Sequence, residues 1–289
     1  VRWLVTGAGG MLGHDVVARL RADGVDDADG DAVLGLTRTD LDVTDAAAVA
    51  KAMAEHAPDV VVNCAAYTAV DDAEEHEDAA HAINADGPRV LAQACAERGG
   101  RLLHVSTDYV FAGDGTRPYA EDDPTAPRTA YGRTKLAGEQ AVLTALPETG
   151  TVVRTAWLYG EHGANFVRTM IRLEGERDTL DVVDDQRGQP TWTADVAGAL
   201  VALGRRPDAH GVFHATSAGE ATWCDLAREV FRLLGADPER VRPTTTDKFP
   251  RPAPRPAYSV LGHDRWAQVG IPPLREWRDA LRAAFSSLR

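Results

Sequence analysis

The chain has 289 residues, 44% hydrophobic and 26% charged, a composition ordinary for a globular protein and a length that allows one large or two modest cores. Its formal net charge of −13 argues against a nucleic-acid surface, because a polyanion would be repelled over most of the molecule. Lacking a ~20-residue apolar run, a signal-peptide pattern around Val1 to Thr6 and any pairing pattern among Cys64, Cys95 and Cys224, the chain is expected to be cytoplasmic, free of membrane contact, with reduced cysteines and no metal site.

Arg2 to Thr6 reads as a first strand running into a Gly-rich turn, and Gly10 to Ala22 as the helix it opens. The Asp-rich run from Val25 to Asp31 reads as a solvated loop. Ala32 to Leu36 is the second strand, followed by a helix from Thr44, its expected N-cap, to His56. Asp59 to Asn63 is the third strand, and a long Ala-rich helical stretch then ends near Arg98. Leu102 to Ser106, a helix over Ala130 to Leu146, and Thr151 to Arg154 complete the series. Such alternation predicts an α/β fold with a doubly wound parallel sheet and ligands at the C-terminal ends of its strands. Beyond about residue 155 the alternation breaks down. There Ala164 to Leu173, Asp195 to Arg205, Trp223 to Leu234 and Leu274 to Leu288 read as helices joined by irregular pieces. On composition alone, the Pro-rich stretch Pro250 to Pro256 is a stiff extended connector.

Between the first strand and first helix, Gly7, Gly10 and Gly13 give the spacing GxxGxxG. That pattern serves a tight turn, close backbone approach to a pyrophosphate and close packing of helix on strand. At the end of the second strand, Leu36-Thr37-Arg38 offers no acid for a free ribose 2′-hydroxyl. Arg38 instead suits a 2′-phosphate, which favours NADPH, with NADH as the alternative. Asp42 and Val43 are placed to border the adenine, and Cys64-Ala65-Ala66 supplies the small residues a dinucleotide needs.

Tyr131 and Lys135 stand four apart in a predicted helix and so share one face. The chain has 28 Arg but only three Lys, which marks Lys135 as a selected amine. An ammonium beside a phenol is expected to lower the Tyr pKa from about 10 into a range useful for proton transfer. Thr107, at the end of the fourth strand, offers a hydroxyl to the substrate carbonyl that Tyr131 would protonate. Read alone, Trp157, Trp192 and Trp223 are packing residues, and Asn84 is a candidate support for the site wall through backbone hydrogen bonds.

In this order and spacing, GxxGxxG, Asn63-Cys64-Ala65-Ala66, Ser106-Thr107 and Tyr131-Gly132-Arg133-Thr134-Lys135 resemble the extended, sugar-nucleotide branch of the short-chain dehydrogenase/reductase superfamily. Tyr67-Thr68-Ala69-Val70-Asp71, Thr107-Asp108-Tyr109-Val110-Phe111, Arg154-Thr155-Ala156-Trp157-Leu158-Tyr159-Gly160, Asp185-Gln186-Arg187-Gly188-Gln189-Pro190-Thr191 and Arg255-Pro256 narrow the likeness to the dTDP-4-dehydrorhamnose reductase family, across nearly the whole chain. The resemblance implies a Rossmann-like domain over residues 1–155, joined by later returning segments, and a smaller, mostly helical substrate-binding lobe over 156–289. It also implies NAD(P)H-dependent reduction of the C4 ketone of dTDP-4-dehydro-β-L-rhamnose.

Carried over by motif, Tyr131 is the proton donor, and Lys135 holds the nicotinamide ribose and tunes Tyr131. Thr107, Asp108 and Trp157 contact the sugar, while Gly10, Met11 and Leu12 sit at the pyrophosphate. Ala66, Tyr67 and Thr68 lie beside the cofactor. Arg255 approaches the substrate's nucleotide, which makes the Pro-rich stretch a binding element instead of a passive connector. Dehydratases of this branch carry Thr-Asp-Glu where this chain has Tyr109 as the third residue, so an acid needed for elimination is missing. Some family members dimerise around Mg²⁺; no ligand set for it is read here, and the chain is expected to be a monomer or homodimer. The alternatives are a reductase or synthase for another dTDP-keto-deoxysugar, such as a dihydrostreptose type, and a non-catalytic regulatory subunit of the methionine adenosyltransferase type.

Overall fold

The computed structural model describes residues 1–25 and 32–289. The Asp-rich run read as a loop falls, from Asp26 to Asp31, outside the described residues. The first half contains β1 (Arg2–Thr6), α1 (Met11–Ala22), β2 (Ala32–Leu36), α2 (Ala46–His56), β3 (Val60–Asn63), α3 (Glu77–His81), α4 (Gly87–Arg98), β4 (Arg101–Thr107), α5 (Ala130–Ala145) and β5 (Gly150–Thr155). It continues with β6 (Leu158–Tyr159), α6 (Phe166–Glu176), β7 (Leu180–Val183), β8 (Arg187–Gly188), β9 (Thr191–Trp192), α7 (Thr193–Gly204) and β10 (Gly211–His214). Last come β11 (Ala221–Thr222), α8 (Trp223–Leu234), β12 (Val241–Thr244), α9 (Arg265–Gln268) and α10 (Trp277–Leu288). Among the described residues, no helix is long and apolar enough to cross a membrane.

Six strands form one parallel sheet in the order β10-β5-β4-β3-β1-β2. Alternate strand residues point to opposite faces, and both faces are apolar because both are covered by helices. Trp3, Val5, Val62, Leu103, Val153 and Phe213 face α1 and α7, packing with Val16, Leu20 and Leu200. Leu4, Val61, Leu102 and Val152 face the other way, onto Met53 of α2, Leu91 of α4 and Val142 of α5. A third cluster, built from Val167, Met170, Ala227, Val230, Phe231, Trp277 and Leu281, holds α6, α8 and α10 together away from the sheet.

Two local readings change. The N-cap of α2 is Asp45, whose carboxylate accepts from Ala47 and Ala48, whereas Thr44 hydrogen-bonds back to Asp42. A carboxylate is the stronger acceptor and also favours the positive end of the helix dipole. The sixth strand, β10, arises in the piece read as an irregular connection between two helices and pairs with β5 from Gly211↔Thr151 to His214↔Arg154.

Candidate active site

The strands β1, β3, β4 and β5 end on one side of the sheet, at a cavity of about 1090 Å³. Gly10, Met11, Leu12 and Gly13 line one end of it. Gly7 adopts a positive φ of 67°, and a Cβ there would lie 2.6 Å from the Ala65 nitrogen. A Cβ at Gly13 would meet the Gly7 carbonyl oxygen at 2.3 Å, so the turn and the helix approach each other as only glycines permit. Helix α1 begins without a side-chain cap and without an acid in its first turn. Its free N–H groups and dipole therefore suit a pyrophosphate at Gly10 to Leu12.

Ala66 and Thr68 also line the cavity, and Ala65 stands between them and Asn63. The Tyr67 backbone is held from both sides: Asn84 accepts from its N–H at 2.8 Å and donates to its carbonyl at 3.1 Å. Asn84 lies in the π-helical turn Ala82–Asp86 between α3 and α4 and also donates to the Thr134 hydroxyl of α5. It thus props the site wall as the sequence suggested, and such a turn inside a helix is a recurrent functional-site device. Arg38 is exposed just past β2, and neither it, Asp42 nor Val43 lines the cavity. Asp42 accepts from Thr44, and Val43 is buried in the core.

Thr107, Asp108, Tyr131, Lys135, Trp157 and Arg255, six residues drawn from distant parts of the chain, line the same cavity. Helix α5 is capped by Thr129, whose hydroxyl accepts from the Gly132 nitrogen, and this cap sets the start of the turn that presents Tyr131 and Lys135. The Thr107 hydroxyl donates to Asp108 Oδ1, accepts from the Tyr109 nitrogen and lies beside the Tyr131 phenol. Burial pushes the Asp108 carboxyl up to about 6 against the pull of its Ser259 and Thr107 hydrogen bonds. Asp108 Oδ2 and Thr155 Oγ1, on residues that line the cavity, are buried without hydrogen-bond partners among the described residues. Unpartnered polar atoms in the wall of a cavity fit a ligand rich in hydroxyl groups.

The expected tuning of Tyr131 by Lys135 is not what the structure shows. Burial drives the Tyr131 phenol up to about 12, opposed by the Thr107 hydrogen bond. The Lys135 amine donates to the Val105 carbonyl at 2.6 Å and lies 3.4 Å from His104 Nε2, and burial outweighs any pull on the phenol. Helical spacing placed the two side chains on one face but could not reveal that β4 supplies the lysine's partners. Burial also lowers Lys135 to about 8, with Glu139 and Cys64 pulling the other way.

Trp157 takes a positive φ of 48° and stacks on Trp223, with centroids 3.6 Å apart and planes within 8°. Phe166 extends the aromatic row, and the Trp223 indole N–H donates to Gln186. Trp223 and Gln186 therefore belong to the cavity wall, whereas Trp223 alone reads as packing. The signal was missed because the pair is 66 residues apart in sequence. The Pro-rich stretch is also wall: Arg251, Arg255 and Pro256 line the cavity. Arg255 pairs with Asp71 at 2.7 Å, and Asp71 also accepts from the Ala253 nitrogen. One further cluster, His14, Asp15 and His162, has side-chain ligand atoms within 4.8 Å of one another and lies outside the cavity lining.

A parallel sheet with a glycine turn after β1, a hydroxyl at the end of β4 and a Tyr-Lys helix is that of an extended short-chain dehydrogenase/reductase. The profile described as the RmlD substrate binding domain matches residues 1–289, and the chain belongs to this family, that of the dTDP-4-dehydrorhamnose reductases. The chain is 62% identical to a probable dTDP-4,6-dihydroxy-2-methyloxan-3-one 4-ketoreductase of Streptomyces antibioticus, over 100% of this chain and 96% of the relative. It is 59% identical to a dTDP-4-dehydrorhamnose reductase of Streptomyces griseus, over 99% of this chain and 94% of that one. Among solved structures it is similar to dTDP-4-dehydrorhamnose reductase of Bacillus anthracis in complex with NADP. The TM-score is 0.92 at 36% identity, covering 99% and 98% of the two chains.

Proposed function

We propose that this chain is an NAD(P)H-dependent ketoreductase that reduces the C4 ketone of a dTDP-linked 6-deoxysugar, with dTDP-4-dehydro-β-L-rhamnose as its substrate and dTDP-β-L-rhamnose as its product. The observation that carries this reading is the convergence of Thr107, Asp108, Tyr131, Lys135 and Trp157 on a single cavity that also reaches the glycine turn. When bound, the nicotinamide supplies the hydride. Thr107 and Tyr131 orient the ketone oxygen, and Tyr131 delivers the proton that completes the alcohol. Burial keeps that phenol protonated at neutral pH, which suits an acid more than a base. The unpartnered Asp108 oxygen accepts from a sugar hydroxyl, and the Trp157 and Trp223 stack offers an apolar shelf for the deoxygenated edge of the ring. Arg255 and Arg251 supply positive charge for the nucleotide diphosphate.

The 62% identity to a ketoreductase with a different named sugar favours a second reading, in which the ketone belongs to another dTDP-deoxysugar. The two are separated by following NADPH oxidation with dTDP-4-dehydro-β-L-rhamnose and with a dTDP-4-keto sugar lacking one ring hydroxyl. Faster turnover of the former, with dTDP-β-L-rhamnose as product, is expected. Faster turnover of the latter selects the second reading, and no turnover of either refutes both.

Arg38, exposed beyond the end of β2, is the residue that favours NADPH. Arg38→Ala is expected to raise the KM for NADPH about tenfold, the worth of one charge-assisted hydrogen bond, with little effect on NADH. Steady-state kinetics with both cofactors test this, and equal effects remove the basis for the preference.

A further inference from the structure

His104 and Asn63 are fully buried polar residues that the chemistry above does not use. Asn63 Oδ1 accepts from the Thr6 hydroxyl at 2.6 Å and from the Ala65 backbone N–H at 3.1 Å. A backbone N–H can only donate, so that side-chain atom is the amide oxygen, and the amide nitrogen is the atom facing His104 Nδ1 at 3.0 Å. His104 Nδ1 is therefore an acceptor. A neutral imidazole with Nδ1 accepting carries its proton on Nε2. The ring is held neutral by its burial.

The Nε2–H so defined points at the Lys135 amine, 3.4 Å away. An ammonium has three N–H groups and no lone pair, so it would set donor against donor there. A neutral amine resolves the conflict. It donates one N–H to the Val105 carbonyl, accepts the His104 N–H on its lone pair, and keeps an N–H for the cavity that Lys135 lines. We propose that Asn63 and His104 act as a tautomer lock, positioning residues that set the charge state of Lys135 so that this amine is neutral or charged according to pH instead of being a fixed cation.

The surroundings of the amine agree. Helix α5 presents the Glu139 carboxylate, β4 presents His104, and the end of β3 presents the Cys64 thiol. Glu139, the carboxylate among them, is already engaged by Arg154 and Ser106. Burial lowers the amine further. The scarcity of lysine acquires a physical reason, because an arginine stays charged in any such setting.

The chain has only three lysines, so the lock can be read directly. Lys51 and Lys248 have side chains 74% and 68% exposed, and Lys51→Arg and Lys248→Arg assign their signals. In the intact protein labelled with ¹³C,¹⁵N-lysine and ¹⁵N-histidine, the Lys135 signal is expected to titrate at least one pH unit below the other two, with His104 protonated at Nε2. Asn63→Asp places a carboxylate where only an Nδ1–H can be bonded. It is expected to switch His104 to the Nδ1 tautomer and raise the Lys135 midpoint by one unit or more. The tautomer switch is the readout that added negative charge alone would not require.

An Nδ1-protonated His104 in the unaltered protein overturns the proposal even if Asn63→Asp does not fold. So does a Lys135 signal that titrates with the exposed lysines, or a variant in which the tautomer switches and the lysine does not move. None of these readouts requires a substrate, so failure of the lock and failure of the proposed reductase activity are distinguishable.

Discussion

Tyr131→Phe is expected to lower kcat by about 10²-fold or more while leaving cofactor binding nearly unchanged. The substitution removes one oxygen and keeps the ring, whose edge-on contact with Tyr109 at 5.6 Å preserves the local packing. The phenol is the group that can meet a ketone oxygen with a proton already in place, since burial holds it at about 12. Thr107 remains in the variant and can still orient the ketone, so the loss should appear in kcat more than in KM. Thr107→Val, by contrast, should affect both, because its hydroxyl serves Tyr131, Asp108 and the Tyr109 backbone together. A Tyr131→Phe enzyme with kcat within threefold of the parent would remove Tyr131 from the reaction.

Glu139→Ala is expected to cost about 3–5 kcal/mol of stability, the range for breaking one side of a buried ion pair. Glu139 and Arg154 have side chains only 2% and 5% exposed and are joined by two bonds of 2.7 and 2.9 Å. Ser106 adds a third bond to the carboxylate at 2.5 Å. On the far side, His214 donates from Nδ1 to the Gly262 carbonyl, which leaves Nε2 to accept from Arg154; burial and the guanidinium keep that ring neutral, near 3.

Removing the carboxylate strands a guanidinium among β4, β5 and β10 with nothing to neutralise it. Denaturant titration of Glu139→Ala, Arg154→Met and the pair gives the coupling, and the double variant should lose clearly less than the sum. Glu55→Ala is the contrast. Its pair with Lys51 is 3.8 Å long and largely exposed, and such pairs are worth at most about 0.5 kcal/mol on a helix. Equal losses at the two sites would refute the buried-pair assignment.

The first five strands were readable because each is a short, largely apolar run alternating with a longer amphipathic stretch. The glycine turn was readable because its glycines answer steric needs that Gly7 and Gly13 show in atomic contacts. What escaped depended on partners distant in sequence. β10 is four residues long and becomes a strand only because β5 offers it an edge. Trp223 joins the cavity only because Trp157 folds under it. Asp45 wins the cap from Thr44 by one residue, a margin that composition does not resolve. The Tyr131 and Lys135 spacing correctly placed both on the cavity, yet the direction of the amine was decided by β4, which no helical periodicity encodes.

The position of β10 has a consequence for biosynthesis. β1 and β3 neighbour each other and β5 joins β4, yet the outer edge of β5 stays bare until Gly211 to His214 arrive, more than fifty residues later. A nascent chain that has just emerged through residue 155 therefore presents an unpaired strand of Thr151, Val152 and Val153 to its surroundings, the kind of edge that recruits other chains. During synthesis the ribosome must deliver α6 and α7 before this edge can be closed. A fragment ending at residue 155 should accordingly aggregate where the whole chain does not, and chaperone demand should peak in that interval of translation.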